Sequence, residues 1–123
     1  MRVLVIDDSP AVRARLVSLV RDAAAGVEVD EACDAAEALG RTDSATPDLV
    51  ILDLHLPGIG GVELLSRLRQ NHPEATVAIL TNHANDQYRR ECLARGAAHF
   101  LDKSLQFDCI AEIVRSYASR SSS

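Results

Sequence analysis

Polar side chains stand inside or directly after short apolar runs at four places in this sequence. They are two adjacent carboxylates, a third carboxylate, a hydroxyl and an amine: Asp7 with Asp8, Asp53, Thr81 and Lys103. Carboxylate oxygens without a His or Cys partner suit Mg²⁺, which also binds water and phosphate oxygens. A lysine and a hydroxyl beside such a cation can stabilise the oxygens of a phosphoryl group. These residue types therefore predict a site for phosphoryl chemistry.

Asp53 is the candidate nucleophile of this site. It lies between Leu52 and Leu54 in an apolar run, and a buried carboxylate without a partner is energetically costly. Three carboxylates in one pocket repel each other, so the arrangement requires a cation. Because an aspartate can form an aspartyl-phosphate, we expect Asp53 to be the nucleophile and Asp7 and Asp8 to hold the metal. The alternative for the first pair is capping of the following helix, which an Asp-Asp-Ser-Pro segment would do well.

Five apolar runs alternate with segments of helical periodicity, and this order predicts a parallel α/β sheet covered by helices on both faces. The predicted strands are residues 3–6, 27–32, 49–54, 76–80 and 99–101. Ser9 and Pro10 predict the start of the first helix, and Gly96 predicts the end of the fourth. Ligands of an open parallel sheet bind beyond the carboxyl ends of its strands. We therefore expect the four polar positions to converge at one edge.

Length and composition fit one domain. The chain has 123 residues, of which 47% are hydrophobic and 25% charged, and its net charge is -5. Such a chain can build a core, and its negative field predicts no direct nucleic-acid binding. No apolar run reaches the roughly 18 residues of a membrane span, and no secretion signal opens the chain. We expect a cytoplasmic protein without membrane insertion.

Five stretches, taken in order, resemble the receiver domain of two-component response regulators. They are Val3-Leu4-Val5-Ile6-Asp7-Asp8-Ser9, Pro47-Asp48-Leu49-Val50-Ile51-Leu52-Asp53-Leu54, Leu56-Pro57-Gly58 with Gly61, Ile79-Leu80-Thr81, and Gly96-Ala97 leading to Lys103. The resemblance covers essentially the whole chain and assigns residues 1–119 to a receiver domain, followed by a Ser-rich tail at 120–123. It implies a doubly wound, flavodoxin-like (βα)5 fold whose five-stranded parallel sheet has the order 2-1-3-4-5.

The resemblance also implies roles for the site residues. Asp53 would accept a phosphoryl group from a phosphohistidine of a sensor histidine kinase or histidine phosphotransfer protein. Asp8, Asp53 and the backbone carbonyl of His55 would coordinate Mg²⁺, with Asp7 acting through water. Lys103 would pair with the phosphoryl group. A protein of this kind catalyses only its own phosphotransfer and dephosphorylation and is not an independent turnover enzyme.

A conformational switch is implied as well. Thr81 would move to bond a phosphoryl oxygen, and Phe100 would rotate into the space that Thr81 leaves. This rotation would alter the surface of the fourth helix, fifth strand and fifth helix, and a downstream protein effector would read the change.

Three polar residues near the site are expected to tune reaction rates. Asn82 stands where the family has a small residue, and its larger side chain is expected to narrow the pocket and slow the entry of phosphodonors. His55 and His83 lie two residues beyond Asp53 and Thr81, where they are expected to set the lifetime of the aspartyl-phosphate. A zinc site formed by the two histidines is the weaker alternative, because two ligands are too few.

Ser104 also departs from the family pattern, which has a proline directly after the lysine, often with a cis peptide bond. A cis bond before a residue other than proline costs about 3 kcal/mol. The isomer of the 103–104 peptide bond is therefore left open by the sequence.

Two other functions are considered for this set of residues. A pseudo-receiver would keep the fold as an interaction module, but it would not require all five polar residues of the site. A phosphohydrolase of the haloacid dehalogenase type needs Asp-x-Asp after its first strand, whereas Asp53-Leu54-His55 belongs to the third strand and lacks the second aspartate. The phosphoacceptor interpretation is favoured over both.

Overall fold

Five strands and five helices alternate along the chain in the structure, a computed structural model that describes residues 1–121. The elements are β1 (Arg2–Ile6), α1 (Pro10–Ala23), β2 (Glu28–Ala32), α2 (Ala35–Ser44), β3 (Leu49–Leu52), α3 (Gly61–Asn71), β4 (Thr76–Thr81), α4 (Asp86–Ala94), β5 (His99–Asp102) and α5 (Cys109–Ser121). All neighbouring strands are parallel, and the order is β2-β1-β3-β4-β5. The predicted fold class and strand order are confirmed.

The sheet divides the core into two layers, because successive side chains of a strand point to opposite faces. In β1, Leu4 and Ile6 pack in a cluster with buried residues of α2, α3 and α4. Val3 and Val5 pack in a second cluster with buried residues of α1 and α5. Continuously apolar strands are therefore required here, since both faces of the central sheet are covered.

The third strand is shorter than the apolar run that predicted it. β3 ends at Leu52, although the backbone N–H of Asp53 still donates to the carbonyl of Ile6 at 3.0 Å. The N–H of His55 turns instead to the Asp53 carboxylate, at 3.1 Å. The sequence predicted that Asp53 lies inside the strand. In the structure it lies just past the end of the strand. Thr81, by contrast, is the last residue of β4 and does not follow it.

The predicted helix boundaries at Ser9 and Gly96 are confirmed. Pro10 opens α1, and the Ser9 hydroxyl accepts a hydrogen bond from the N–H of Val12 at 3.3 Å. Gly96 follows the end of α4 and has a φ of +103°, a conformation that disfavours residues with a Cβ. Ser9 and Pro10 therefore define the start of α1, and Gly96 defines the end of α4.

The last helix reaches into the segment that the sequence assigned to a tail. α5 continues to Ser121, and residues 122–123 of the predicted tail lie outside the described residues. No helix in the described part of the chain is both long and apolar enough to cross a membrane.

Gly61 fixes how closely α3 approaches the loop that follows β3. A Cβ at Gly61 would lie 2.7 Å from the carbonyl oxygen of Asp53 and closer still to the Cα of Leu54. The N–H of Gly61 also donates to the carbonyl of Leu54 at 3.0 Å. Because Gly61 has no side chain, the start of α3 can contact the backbone at Asp53 and Leu54 and bond it.

We expect Gly61→Ala to lower the free energy of unfolding by about 1–3 kcal/mol, the usual cost of overpacking. The clash is with backbone atoms, which cannot rotate away. Gly40→Ala is the matched control, because Gly40 lies within α2 and a Cβ there meets nothing within 4 Å. Because glycine is unfavourable inside a helix, the free energy of unfolding of Gly40→Ala should rise by about 0.5–1 kcal/mol. Urea unfolding of both variants measures the difference, and equal stabilities would contradict the role of Gly61.

Candidate functional site

Lys103 joins two carboxylates from different strands. Its Nζ donates to Asp7 Oδ2 at 2.6 Å and to Asp53 Oδ2 at 2.7 Å. Asp7 follows β1, Asp53 follows β3 and Lys103 follows β5, so the parallel topology brings all three to the carboxyl edge of the sheet. The predicted convergence of these residues is therefore found in the structure.

The two carboxylates are buried, and every one of their oxygens accepts a hydrogen bond. Asp7 is 1% exposed and Asp53 is 6% exposed, while the Lys103 side chain is 10% exposed. The second oxygen of Asp7 accepts from the backbone N–H of Ser9 at 2.9 Å, and that of Asp53 accepts from His55 at 3.1 Å. Each carboxylate thus has one oxygen on a backbone amide and one on the ammonium, which offsets the cost of burying its charge.

The charge of Lys103 is stabilised by its neighbours. Burial of the ammonium favours the neutral amine, but the hydrogen bonds and negative charges of Asp53 and Asp7 outweigh it and raise the pKa of Lys103 above its ordinary value. Lys103 therefore stays protonated throughout the neutral range, with its positive charge held between Asp7 and Asp53.

A third carboxylate completes an acidic cluster. Asp7, Asp8 and Asp53 each offer an oxygen within 4.8 Å of the others, and Asp8 is exposed to solvent. The three carboxylates of this cluster outnumber the one ammonium that contacts two of them, so these four side chains together carry an excess of negative charge. An all-oxygen donor set with this excess charge fits a hard divalent cation such as Mg²⁺. The site residues thus suit the metal that the sequence predicted.

Thr81 is fully buried at the end of β4. Its Oγ1 accepts a hydrogen bond from the N–H of His83 at 3.1 Å, and its carbonyl accepts from the N–H of Lys103 at 2.9 Å. The hydroxyl is therefore held as an acceptor by His83, while the Thr81 backbone is bonded to that of Lys103. Phe100 pairs with Ile79 across β4 and β5 and lies in the core layer of α2, α3 and α4.

Asn82 and Ser104, the two departures from the family pattern, contact each other. The Ser104 hydroxyl donates to Asn82 Oδ1 at 3.2 Å, and both residues are exposed. The Ser104 N–H donates to Asp102 Oδ1 at 2.8 Å, a bond that a proline could not make. The described residues contain no cis peptide bond, so the 103–104 bond is trans. The question that the sequence left open is answered in favour of the ordinary isomer.

The imidazoles of His55 and His83 lie side by side at the surface, with ring centroids 5.0 Å apart and a tilt of 41°. They line a cavity of about 420 Å³ together with Ile59 and Tyr88. Within residues 1–121, the group of three side chains that could hold a metal ion is the aspartate cluster, which does not include these rings. The alternative of a zinc site therefore has no third ligand to support it.

Arg13 is a contact residue of the site that the sequence did not reveal. Its Nη1 donates to the backbone carbonyl of Asp7 at 2.6 Å, and its Nε lies 3.3 Å from the carboxylate of Glu31. The side chain is 17% exposed. A basic residue five positions after Asp8 was the available signal, but residue type alone does not tell that it would bind a carbonyl.

Comparison with known proteins identifies relatives across nearly the whole chain. The family model described as the response regulator receiver domain matches residues 3–115. The transcriptional activator protein ExaE of Pseudomonas putida is 36% identical over 115 residues, covering 94% of this chain and 54% of that protein.

Two crystal structures superpose closely on this chain. A LuxR-family two-component response regulator from Aurantimonas sp. SI85-9A1 has a TM-score of 0.80 at 32% identity, covering 94% of this chain and 85% of that one. A response regulator protein from Burkholderia pseudomallei, with a phosphorylated aspartic acid, a calcium ion and citrate, has a TM-score of 0.83 at 26% identity, covering 98% and 70%.

The curated relatives are longer than this chain, which spans about half the length of ExaE and of the response regulator GacA from Pseudomonas viridiflava. The matched family nevertheless extends over most of the described residues, and the observed fold and strand order agree with it. The chain belongs to the response regulator receiver domain family.

Proposed function

We propose that this chain is the phosphoacceptor of a two-component signalling system, with Asp53 as the residue that is phosphorylated. The donor would be a phosphohistidine on a sensor histidine kinase or a histidine phosphotransfer protein. The observation that supports this most strongly is the Lys103 ammonium, which contacts both Asp53 and Asp7 at hydrogen-bond distance in a buried site. A positive charge already stands where a phosphoryl group would add negative charge.

The transfer is a displacement at phosphorus. A carboxylate oxygen of Asp53 would form the new P–O bond as the P–N bond of the phosphohistidine breaks, and the imidazole leaves with the bonding electron pair. Mg²⁺ would offset the charge of the phosphoryl oxygens. In our proposal Asp8, Asp53 and the carbonyl of His55 coordinate it, and Asp7 acts through water. The phosphorylated aspartate and calcium ion of the Burkholderia pseudomallei relative support this combination of groups.

Lys103 and Thr81 would then hold the transferred group. The Lys103 ammonium has three protons and can keep a carboxylate contact while it donates to a phosphoryl oxygen. The Thr81 hydroxyl already accepts a bond from the N–H of His83, so its own proton can be directed to another phosphoryl oxygen. Two charge-assisted bonds formed mainly in the active state would bias the conformational equilibrium by roughly 2–4 kcal/mol.

The switch would pass from Thr81 to Phe100. Phe100 is buried in the layer that also contains Cys92 of α4, so its rotation would change the packing beneath α4 and β5. A downstream protein effector would read this surface. Relatives are transcriptional regulators and a protein-glutamate methylesterase, and we propose such a protein-level output for a receiver unit at residues 1–119, acting in the cytoplasm without direct nucleic-acid binding.

Incubation with acetyl phosphate and Mg²⁺ should add about 80 Da to the intact mass, the mass of one phosphoryl group on an aspartate. Asp53→Asn should abolish this gain, and EDTA should suppress it in the wild-type chain. Asp48→Asn is the matched control, because Asp48 precedes the same strand at the opposite edge of the sheet. An adduct that persists in Asp53→Asn would contradict the assignment, as would the absence of any adduct on the wild-type chain.

His83→Ala should shorten the lifetime of the aspartyl-phosphate severalfold. The His55 and His83 rings contact each other at the surface, and the N–H groups of these residues bond the side chains of Asp53 and Thr81. In our proposal, removing one ring would admit water to the phosphoryl group. The decay of the phosphorylated mass over time measures the rate. A decay indistinguishable from that of the wild-type chain would remove His83 from the rate-tuning residues, and His55→Ala tests the second ring in the same way.

Asn82→Ala should accelerate phosphorylation by acetyl phosphate, because a smaller side chain widens the pocket. Ser104→Ala separates size from hydrogen bonding, since it breaks the Asn82 contact at 3.2 Å but leaves the amide in place. Initial rates of adduct formation should therefore rise more in Asn82→Ala than in Ser104→Ala. Equal rates in Asn82→Ala and the wild-type chain would contradict the narrowing of the pocket.

A further inference from the structure

Arg13 binds the backbone of the acidic site from the first turn of α1. Its guanidinium donates to the carbonyl oxygen of Asp7 at 2.6 Å and contacts the Glu31 carboxylate on β2 at 3.3 Å. The side chain is 17% exposed. Charge-assisted hydrogen bonds of this length in a largely buried position are among the stronger polar contacts of a protein. The mechanism proposed above does not use this group.

The bonded carbonyl belongs to the peptide unit between Asp7 and Asp8. Its orientation sets the directions in which both Cα atoms project their carboxylates. The same turn is held elsewhere, since the N–H of Asp7 donates to the carbonyl of Ala32 at 3.1 Å and one Asp7 oxygen accepts from Ser9 at 2.9 Å. Arg13 fixes the remaining direction, that of the peptide leading to the exposed Asp8.

We propose that Arg13 is a positioning residue that sets the affinity of the acidic cluster for Mg²⁺ by holding the peptide between Asp7 and Asp8. This inference rests on the proposed function. It makes a prediction opposite in sign to a purely electrostatic effect, because the positive charge of Arg13 by itself repels a cation. Removing the residue therefore weakens Mg²⁺ binding if positioning dominates and strengthens it if charge dominates.

Titration calorimetry of Mg²⁺ into the unphosphorylated chain measures the affinity directly. Arg13→Gln should weaken binding about 10-fold, as loss of groups that orient metal ligands commonly does. Arg13→Lys should restore part of the affinity, because one ammonium can bond the carbonyl but lacks the planar fork that reaches Glu31 as well. Arg41→Gln is the matched control, because Arg41 also donates to a backbone carbonyl, that of Glu31, at 3.2 Å. The affinity of Arg41→Gln for Mg²⁺ should equal that of the wild-type chain.

A second readout separates positioning from general destabilisation. With acetyl phosphate as donor, Arg13→Gln should need more Mg²⁺ for half-maximal phosphorylation but approach the wild-type rate at saturating Mg²⁺. A melting temperature in EDTA close to that of Arg41→Gln would accompany this result. A lowered rate at saturating Mg²⁺ with unchanged affinity would contradict the proposal.

The remaining outcomes are also decisive. If Arg13→Gln binds Mg²⁺ as tightly as the wild-type chain, the positioning role is overturned. If it binds Mg²⁺ more tightly, the positioning role is overturned as well and the effect is assigned to charge. Should Arg13→Gln fail to fold, Arg13→Lys carries the test, and wild-type affinity in that variant overturns the proposal. Failure of the wild-type chain to bind Mg²⁺ contradicts the proposed function itself, whereas normal wild-type binding with an unaffected Arg13→Gln contradicts only the role of Arg13.

Discussion

An ammonium group between two buried carboxylates is the interaction on which this end of the molecule depends. Asp7 and Asp53 are almost inaccessible to water, and two negative charges so placed would repel each other and oppose folding. Lys103, which follows a third strand, contacts both. The lysine thus offsets the repulsion between the two buried carboxylates, and the three aspartates of the cluster still outnumber the one ammonium.

Three strands must end at the same edge for that contact to exist, and the parallel order of the sheet provides this. β1, β3 and β4 lie side by side, with β5 next to β4, so residues far apart in sequence follow strands that end together. Gly61 brings the start of α3 against the loop after β3, and its lack of a side chain is what permits the approach. The site is therefore a product of topology and close backbone packing as much as of residue type.

Much of the fold could be predicted because its signals are local. Apolar runs mark strands that are covered on both faces, and Ser9 with Pro10 marks a helix start through bonds within one turn. The end of β3 was harder to predict. The N–H of Asp53 keeps a strand-like hydrogen bond to Ile6, whereas the N–H of His55 bonds the Asp53 carboxylate. The pattern of apolar residues does not indicate where such a turn begins.

The site was predictable for the residues whose chemistry is unusual in an apolar setting, namely the aspartates, Thr81 and Lys103. Arg13 and the contact between Asn82 and Ser104 were not. An arginine on a helix is ordinary, and its bond to a carbonyl depends on the register of β1 and β2. Likewise, the approach of two exposed loops depends on the spacing of β4 and β5. Contacts of this kind follow from the three-dimensional arrangement, not from residue type.

Phe100 and Leu101 are consecutive residues of β5, yet they belong to different core layers. Phe100 packs with residues of α2, α3 and α4, whereas Leu101 packs with those of α1 and α5. A change in the packing of the Phe100 ring would therefore act on one face of the sheet, whereas Leu101 packs on the other face. A change of side-chain volume at Phe100 is therefore transmitted to one packing layer and a change at Leu101 to the other, so two consecutive positions of one strand can be substituted with separate structural consequences.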